Sequence, residues 1–502
     1  MRDIGTVIST PDGPNSNEFW FVLNENKGVP VRKGQFVQLN SDEGLLISRV
    51  LEIIKTNRYF ERADSVSEFE KSGRPLMEQF PVERWEYLVA HANLLGIYDN
   101  GSHKRASFPP SPGTKVSKMD DNILFEFLGL DRDKGLNLGK IEFHDLEAKL
   151  NLTKMFQKHC AILAQTGFGK SFLTSVVIEE LLDRSLVHGR PAIIVIDPHG
   201  EYVGFGDDEN YVTKTKIFNG KNISIAARNL SERQICEFQP RITDVARREL
   251  GKIIKSLRNS RKIYDMRELI EGVEASSILD RTKYPLVAWL SDLNDTGLFG
   301  MNDSPNIDEL AAEGQLSVLD LSDFIQLREK QIIVTYFAKK LFGARRSNKI
   351  HPFILIIEEA HQFAPEQEER SSAISKNIIE TIAREGRKFL ASLVLISQRP
   401  VQLSTTALSQ CNSNVILRVS NPYDLKHIGE SCEGVTKDIL DMLPGLKVGE
   451  ALITGEVVNH PLLVNVRERK SMQSKSSITF EDALVNFQNK KSVDKKDLET
   501  YM

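Results

Sequence analysis

Hydrophobic positions along the chain fall into two textures. Over about the first 55 residues they form short β-rich runs, "IGTVIST", "EFWFVLN", "GQFVQLN" and "GLLISRVLEII". Turn mixtures separate them: "PDGPNSN", "ENKGVPVRKG" and "SDEG". Short strands at this spacing predict a small β-barrel. Residues 56–107 are more polar, with a helix predicted around "EFEKSGRPLMEQF". The proline-rich "FPPSPGTKV" at 108–116 reads as a connector and a domain boundary. From about residue 135 the runs become continuous and apolar: "HCAILAQ", "PAIIVIDP", "GQLSVLDLS", "PFILIIEEA", "ASLVLISQ" and "NVILRVS". Helical patterns lie between them. Fully apolar strands alternating with helices predict an α/β core around a parallel sheet.

These textures place the barrel and connector at 1–110, and the α/β core at 130–225 and 346–470. A mainly helical insertion is expected over 226–345, and a Ser/Lys-rich tail over 471–502. Composition adds bounds. Of 502 residues, 40% are hydrophobic and 27% charged, as in ordinary soluble proteins. The formal net charge of −4 excludes a uniformly basic nucleic-acid coat, so any such surface is a local patch. The four cysteines, Cys160, Cys236, Cys411 and Cys432, are far apart and form no C-x-x-C. That argues against a disulfide framework or a zinc site. No apolar run approaches a membrane span and "MRDIGTVIST" has no signal-peptide character, so a cytoplasmic protein is expected.

The chemistry begins at "AILAQTGFGKS", Ala161–Ser171. It matches the phosphate loop G-x-x-x-x-G-K-[ST] except at its first position, where Ala164 replaces glycine. A strand precedes the loop and a helix follows, as the motif requires. Gly167 and Gly169 let backbone N–H groups turn toward phosphate oxygens. Lys170 neutralises β/γ charge and Ser171 ligates Mg²⁺. The expected nucleotide-binding set is Thr166, Gly167, Phe168, Gly169, Lys170, Ser171 and Phe172. The first loop position only closes the turn, so backbone geometry permits alanine there.

"FILIIEEAHQF" is an apolar strand ending in two carboxylates, the Walker B pattern. Glu358 is assigned to the Mg²⁺ shell and Glu359 to polarising the attacking water. The usual first residue is aspartate, so Glu358 reaches one methylene farther. "ASLVLISQRP" places Gln398 at a strand tip as a γ-phosphate sensor. Arg384 and Arg387 in "IAREGRKF" suit an arginine finger or, equally simply, a solvated basic face. Asp197, His199 and Glu201 in "IIVIDPHGEY" admit two readings. They either position water at the sheet's carboxyl edge or form an Asx-type structural turn.

Taken in order, "TGFGKS", "IDPHGEY", "EEAHQF", "AREGRK" and "SQRP" resemble the HerA family of hexameric DNA translocases. The N-terminal strands resemble that family's HAS barrel. The resemblance covers about 1–470. It implies a RecA-like core and a homohexameric ring around double-stranded DNA. It also implies ATP with Mg²⁺ between subunits, Arg384 acting in trans, and a NurA-type nuclease partner in DNA end resection. Lys158 falls where the family carries a basic residue near nucleotide, and the turn Asn459–His460 where it approaches the base. The family tolerates residues other than glycine at the position of Ala164. A secretion or conjugation motor shares this core, but it needs a membrane partner and no span is present to supply one. A nucleotide-gated scaffold for a nuclease or defence effector is the remaining alternative.

For DNA, "VARRELGKIIKSLRNSRKIY" carries seven basic residues and one acidic residue between Arg247 and Lys262. Lys252, Lys255, Arg258 and Lys262 form one helical stripe opposite Leu250, Ile253, Ile254 and Leu257. The stripe suits backbone phosphates of a duplex, or is simply a solvated face. "GARRSN" at 343–348 is a second candidate.

Overall fold

The computed structural model describes residues 3–11, 13–24, 31–57, 60, 63–71, 86–99, 101–260, 263–366, 373–473, 481–482, 484–485 and 487. The chain divides into two compact units. The first comprises Met1–Asn151 with Glu450–Arg467, and the second Leu152–Gly449 with Glu468–Met502.

In the first unit the four anticipated strands form: β1 (Asp3–Ile8), β2 (Glu18–Leu23), β3 (Phe36–Ser41) and β4 (Gly44–Asn57). Three more follow: β5 (Glu86–Asp99), β6 (Ser102–Lys104) and β7 (Lys115–Lys118). The sheet runs β2-β1-β7-β3-β4-β5-β6, and an added β2–β5 pairing closes six strands into a barrel. Closure leaves no open edge among those six. Alternation sets the interior: Phe19 and Phe21 of β2 point inward and are fully buried, with Val37, Leu39, Leu46 and Ala90 around them. The connector predicted at 108–116 is therefore not a boundary. Its end enters β7, which pairs with both β1 and β3. The helix in the polar stretch is Ala63–Lys71, earlier than expected, and 72–80 of that expectation lies outside the described residues. Strands β8 (Leu136–Ile141) and β9 (Glu147–Leu150) complete the first pass of the unit.

The second unit carries β10 (Cys160–Leu163), β11 (Ala192–Asp197), β12 (Thr215–Phe218), β13 (Ile225–Ala226) and β14 (Phe299–Gly300). It continues with β15 (Leu316–Asp320), β16 (Phe353–Ile357), β17 (Ala391–Ser397) and β18 (Ser413–Ile416). Seven of these form one parallel sheet in the order β12-β15-β11-β16-β17-β10-β18. Every residue of β10, β11, β16 and β17 is buried, which explains their unbroken apolar runs. The β13–β14 pair is separate.

Two boundaries differ from the sequence reading. β15 lies inside the central sheet, between β12 and β11, so the helical insertion does not extend to 345. The inserted helices are Glu232–Phe238, Asp244–Ser260, Met266–Glu274 and Asp280–Asn294. After the sheet the chain returns to the first unit as β19 (Glu450–Gly455) and β20 (Leu462–Val466), which pair antiparallel, with β20 also on β8. The expected core segment 346–470 is thus shared between units.

Candidate functional site

Parallel register brings the carboxyl ends of four strands to one edge. Leu163 of β10 lies opposite Ser397 of β17, Leu395 of β17 opposite Ile357 of β16, and Ile357 opposite Ile196 of β11. Ligands of parallel α/β sheets bind at this edge. The acid strand β16 is one strand removed from the phosphate-loop strand β10, with β17 between them.

The phosphate loop turns through Gly167 (φ 83°) and Gly169 (φ 85°), a conformation a side chain would strain. Ala164 is fully buried, keeps a negative φ and donates its N–H to Ser397 O at 3.2 Å. Alanine is therefore accommodated where the motif has glycine. The helix Lys170–Leu182 begins directly after Gly169. Lys170, at its first residue, is buried between the two acids. Its Nζ lies 2.6 Å from Glu358 Oε1 and 2.5 Å from Glu359 Oε1. Burial alone would lower the lysine pKa, but the two carboxylates outweigh it and hold it above the ordinary value. Glu358 is fully buried, and burial lifts its pKa to about 7 against the pull of Lys170. Tyr202 donates its hydroxyl to Glu358 Oε2 at 2.9 Å.

Asp197 resolves its two readings by geometry. It is fully buried. Its Oδ1 accepts from the N–H groups of Gly200 (2.8 Å), Glu201 (3.1 Å) and His199 (3.3 Å), and its Oδ2 from Tyr202 (2.9 Å). Burial raises its pKa to about 6 despite these donors. The carboxylate folds the turn, and the turn aims two side chains: Glu201 accepts from Ser171 Oγ, and Tyr202 reaches Glu358. His199 is exposed. Gln398, just past the end of β17, accepts from Thr166 Oγ1 and so touches the phosphate loop. Phe168 lies under the Arg418 guanidinium, 4.9 Å from its ring centroid.

The donors near Ser171 are all oxygen: its own hydroxyl and the Glu201 carboxylate that accepts from it, with the Glu358 carboxylate close enough to feel the Glu201 charge. Such hard donors fit Mg²⁺, which takes one or two carboxylates and completes its shell with phosphate and water. Glu358 is held by Lys170 and Tyr202, while Glu201 accepts from Ser171 Oγ.

Other expected residues are placed as follows. Arg384 and Arg387 are exposed, and Arg384 pairs with Glu380 at 3.6 Å. Lys158 is half-buried just before His159. Phe172, also half-buried, lies in the first turn of the phosphate-loop helix. Asn459 and His460 belong to the first unit. There Asn459 Nδ2 donates to Phe127 O at 2.9 Å, and His460 stacks on the Phe127 ring at 4.7 Å. Asn459 is exposed and His460 half-buried. On helix Asp244–Ser260, Leu250 and Ile254 face inward as expected. Lys252 pairs with Glu249 at 2.8 Å and Lys255 is exposed. Arg258 is tied to the carbonyls of Arg228 and Leu230. Lys262 lies outside the described residues. In "GARRSN", Arg345 donates to the carbonyls of Phe389 and Ile350, so it is a structural tie and not a free phosphate contact. All four cysteines are free. Among the described residues no helix is long and apolar enough to cross a membrane.

Sequence reasoning did not single out Tyr202, His361, Ser397 or Arg418. Ser397 ends an apolar run and Arg418 interrupts one, which was the available signal, whereas Tyr202 and His361 lie in turns beyond a strand end. Their partners are distant in the chain, which is why the signal could not be interpreted.

The strand order, the phosphate loop and the paired acids at one sheet edge define a RecA-like P-loop ATPase preceded by a small barrel. Among solved structures, VirB4 of Thermoanaerobacter pseudethanolicus shares the fold at a TM-score of 0.55 and 16% identity, covering 68% of this chain and 98% of that one. Residues 136–341 match the family described as helicase HerA, central domain. A probable helicase of Methanocaldococcus jannaschii is 27% identical, covering 93% of this chain and 95% of its own. The DNA double-strand break repair helicase HerA of Saccharolobus solfataricus is 28% identical over 87% of this chain and 88% of its own. That of Pyrococcus furiosus is 26% identical over 90% of each. The chain is thus similar to HerA helicases over most of its length.

Proposed function

We propose that this protein is an ATP-driven, cytoplasmic motor on double-stranded DNA, working as a homohexameric ring with a NurA-type nuclease in DNA end resection. The observation that carries the reading is Lys170 bridging Glu358 and Glu359 beside the Thr166–Gln398 contact, in a chain whose full-length relatives are named DNA double-strand break repair helicases.

In this reading the residues divide the work of phosphoryl transfer to water. Backbone N–H groups of 166–171 cradle the phosphates of ATP. Lys170 leaves the acids for the β/γ oxygens. Ser171, Glu358 and Glu201 are the protein oxygens that would hold Mg²⁺, which would supply charge neutralisation when bound. Glu359 orients and polarises the attacking water, and Gln398 responds to the γ-phosphate across its contact with Thr166. The exposure of Arg384 suits a finger offered to a neighbouring subunit. Lys252 and Lys255 are the duplex-backbone candidates on the helical insertion. Replacing either with glutamate lowers the salt slope of DNA binding by about one.

The test is steady-state hydrolysis by the purified chain with and without linear duplex DNA, at low and moderate salt. Stimulation that fades as salt rises is expected. A rate indifferent to DNA, alone and with the nuclease, overturns the motor reading in favour of a nucleotide-gated scaffold. Native mass measurement of the ATP-bound Glu359→Gln protein decides the ring, and anything other than six subunits refutes the hexamer.

A further inference from the structure

Directly after the acid pair the chain turns back on itself. Glu359 adopts φ 49°, a left-handed conformation rare for a non-glycine residue, and a single 3₁₀ turn (Ala360–Gln362) follows. This brings His361 back beside the acid. Its Nδ1 lies 3.1 Å from Ser397 Oγ and 3.4 Å from Glu359 Oε2. Ser397 Oγ also accepts from Arg399 N at 3.0 Å. The His361 side chain is 11% exposed and helps line a cavity of about 560 Å³ with Gln362, Glu366, Val401 and Gln402.

We propose that His361 is a positioning residue for hydrolysis, its ring coupling the end of the sensor strand to the carboxylate that orients the attacking water. Among the described residues, the side chains paired with Glu359 are Lys170 on Oε1 and His361 on Oε2. Oε2 is buried and makes no full hydrogen bond. When Lys170 turns to a phosphate, the imidazole is the group left within reach of the acid. With its proton on Nδ1 the ring can donate to either oxygen, the hydroxyl or the carboxylate. Donation to the carboxylate pins Oε2 and leaves Oε1 for water. Ser397 adjoins Gln398, which holds Thr166. One path therefore runs from the phosphate loop through Gln398, Ser397 and His361 to Glu359.

The proposal rests on Glu359 as the water-orienting acid, and the experiment separates the two. ATP turnover and fluorescent-nucleotide affinity are measured for the full chain carrying Glu359→Gln, His361→Ala, His361→Asn or His361→Gln. His361→Ala is expected to lower kcat about ten- to a hundredfold at unchanged KM and nucleotide affinity. His361→Asn, whose amide falls near the place of Nδ1, restores much of the loss, whereas His361→Gln, which reaches toward Nε2, does not. Ser397→Ala adds nothing to His361→Ala. Wild-type kcat in His361→Ala, with Glu359→Gln inactive, overturns the proposal alone. Turnover by Glu359→Gln overturns the reading beneath it. Should His361→Ala fail to fold, equal activity of the Asn and Gln variants is the overturning result.

Discussion

Lys170→Ala should unfold more easily as well as stop hydrolysis, and by an amount that depends on pH. In the nucleotide-free protein the ammonium compensates two carboxylates at 2.6 and 2.5 Å, one of them fully buried. Removing one partner of a buried ion pair typically costs about 3–5 kcal/mol, because the other charge is stranded. Glu358 moderates the cost, since burial has already lifted its pKa from 4.5 to about 7 and it takes up a proton near neutrality. A raised carboxylate pKa means the native state binds that proton more tightly than the unfolded chain. Stability therefore falls as pH rises from 4.5 through 7, reaching a penalty of about 3 kcal/mol above that window. Loss of Lys170 raises the native pKa further and extends the fall to higher pH. The variant should thus be destabilised by about 3–4 kcal/mol at pH 8 and by about 1–2 kcal/mol less at pH 6. For a unit of this size that is a drop in Tm of about 5–8 °C at pH 8, read by calorimetry without nucleotide. Adding Glu358→Gln should recover stability without recovering turnover. A Lys170→Ala protein that melts with the wild type at pH 8 would refute the buried triad.

Three further outcomes concern His159, Arg384 and Glu179. His159 accepts from Leu393 N at 2.9 Å through Nδ1, and its Nε2 lies 3.0 Å from Ala383 O, so His159→Leu should cost about 2–4 kcal/mol in denaturant titrations. Burial holds its pKa at about 4, below the ordinary 6.5. Its stabilisation is present above pH 6.5 and lost as pH falls toward 4, and the leucine variant should lack that part of the acid sensitivity; identical acid profiles would count against it. Arg384→Ala should lower hydrolysis about a thousandfold with Tm unchanged, because the side chain is exposed, and should recover in part when mixed with Glu359→Gln subunits. No recovery in mixed assemblies would exclude action in trans. Glu179, fully buried on the phosphate-loop helix, accepts from Lys470 N and Ser471 N at 2.8 Å each and from Ser471 Oγ at 2.7 Å. Glu179→Ala should free this segment to trypsin at Lys470, and unchanged cleavage would show that the clamp is not formed.

Much of the core was legible because a buried parallel strand states its own environment. The apolar runs ending at Leu163, Asp197, Ile357 and Ser397 need no knowledge of their neighbours to be read as strands. β5 was missed for the converse reason. Its inward positions include Ala90 and Ala92, and its outward ones His91 and Asn93, so the alternation carries little hydrophobic contrast. β7 and the return of β19 and β20 were missed because four-to-six-residue strands have meaning only through their partners.

The sequence by itself determined the parts of the candidate site: a strand, glycines at 167 and 169 where only positive φ serves, a lysine and serine opening a helix, and two carboxylates at a strand end. These depend on local backbone geometry and on neighbouring side-chain chemistry, which a chain segment carries with it. Only the tertiary structure decided which groups meet. It set β17 between β10 and β16, and so put Gln398 on Thr166 and Ser397 on His361. It made Asp197 a turn-former that aims Glu201 and Tyr202, and it sent Asn459 and His460 into packing around Phe127. Strand order is chosen by the burial and pairing of whole elements far apart in the chain, and no local pattern of residues records that choice.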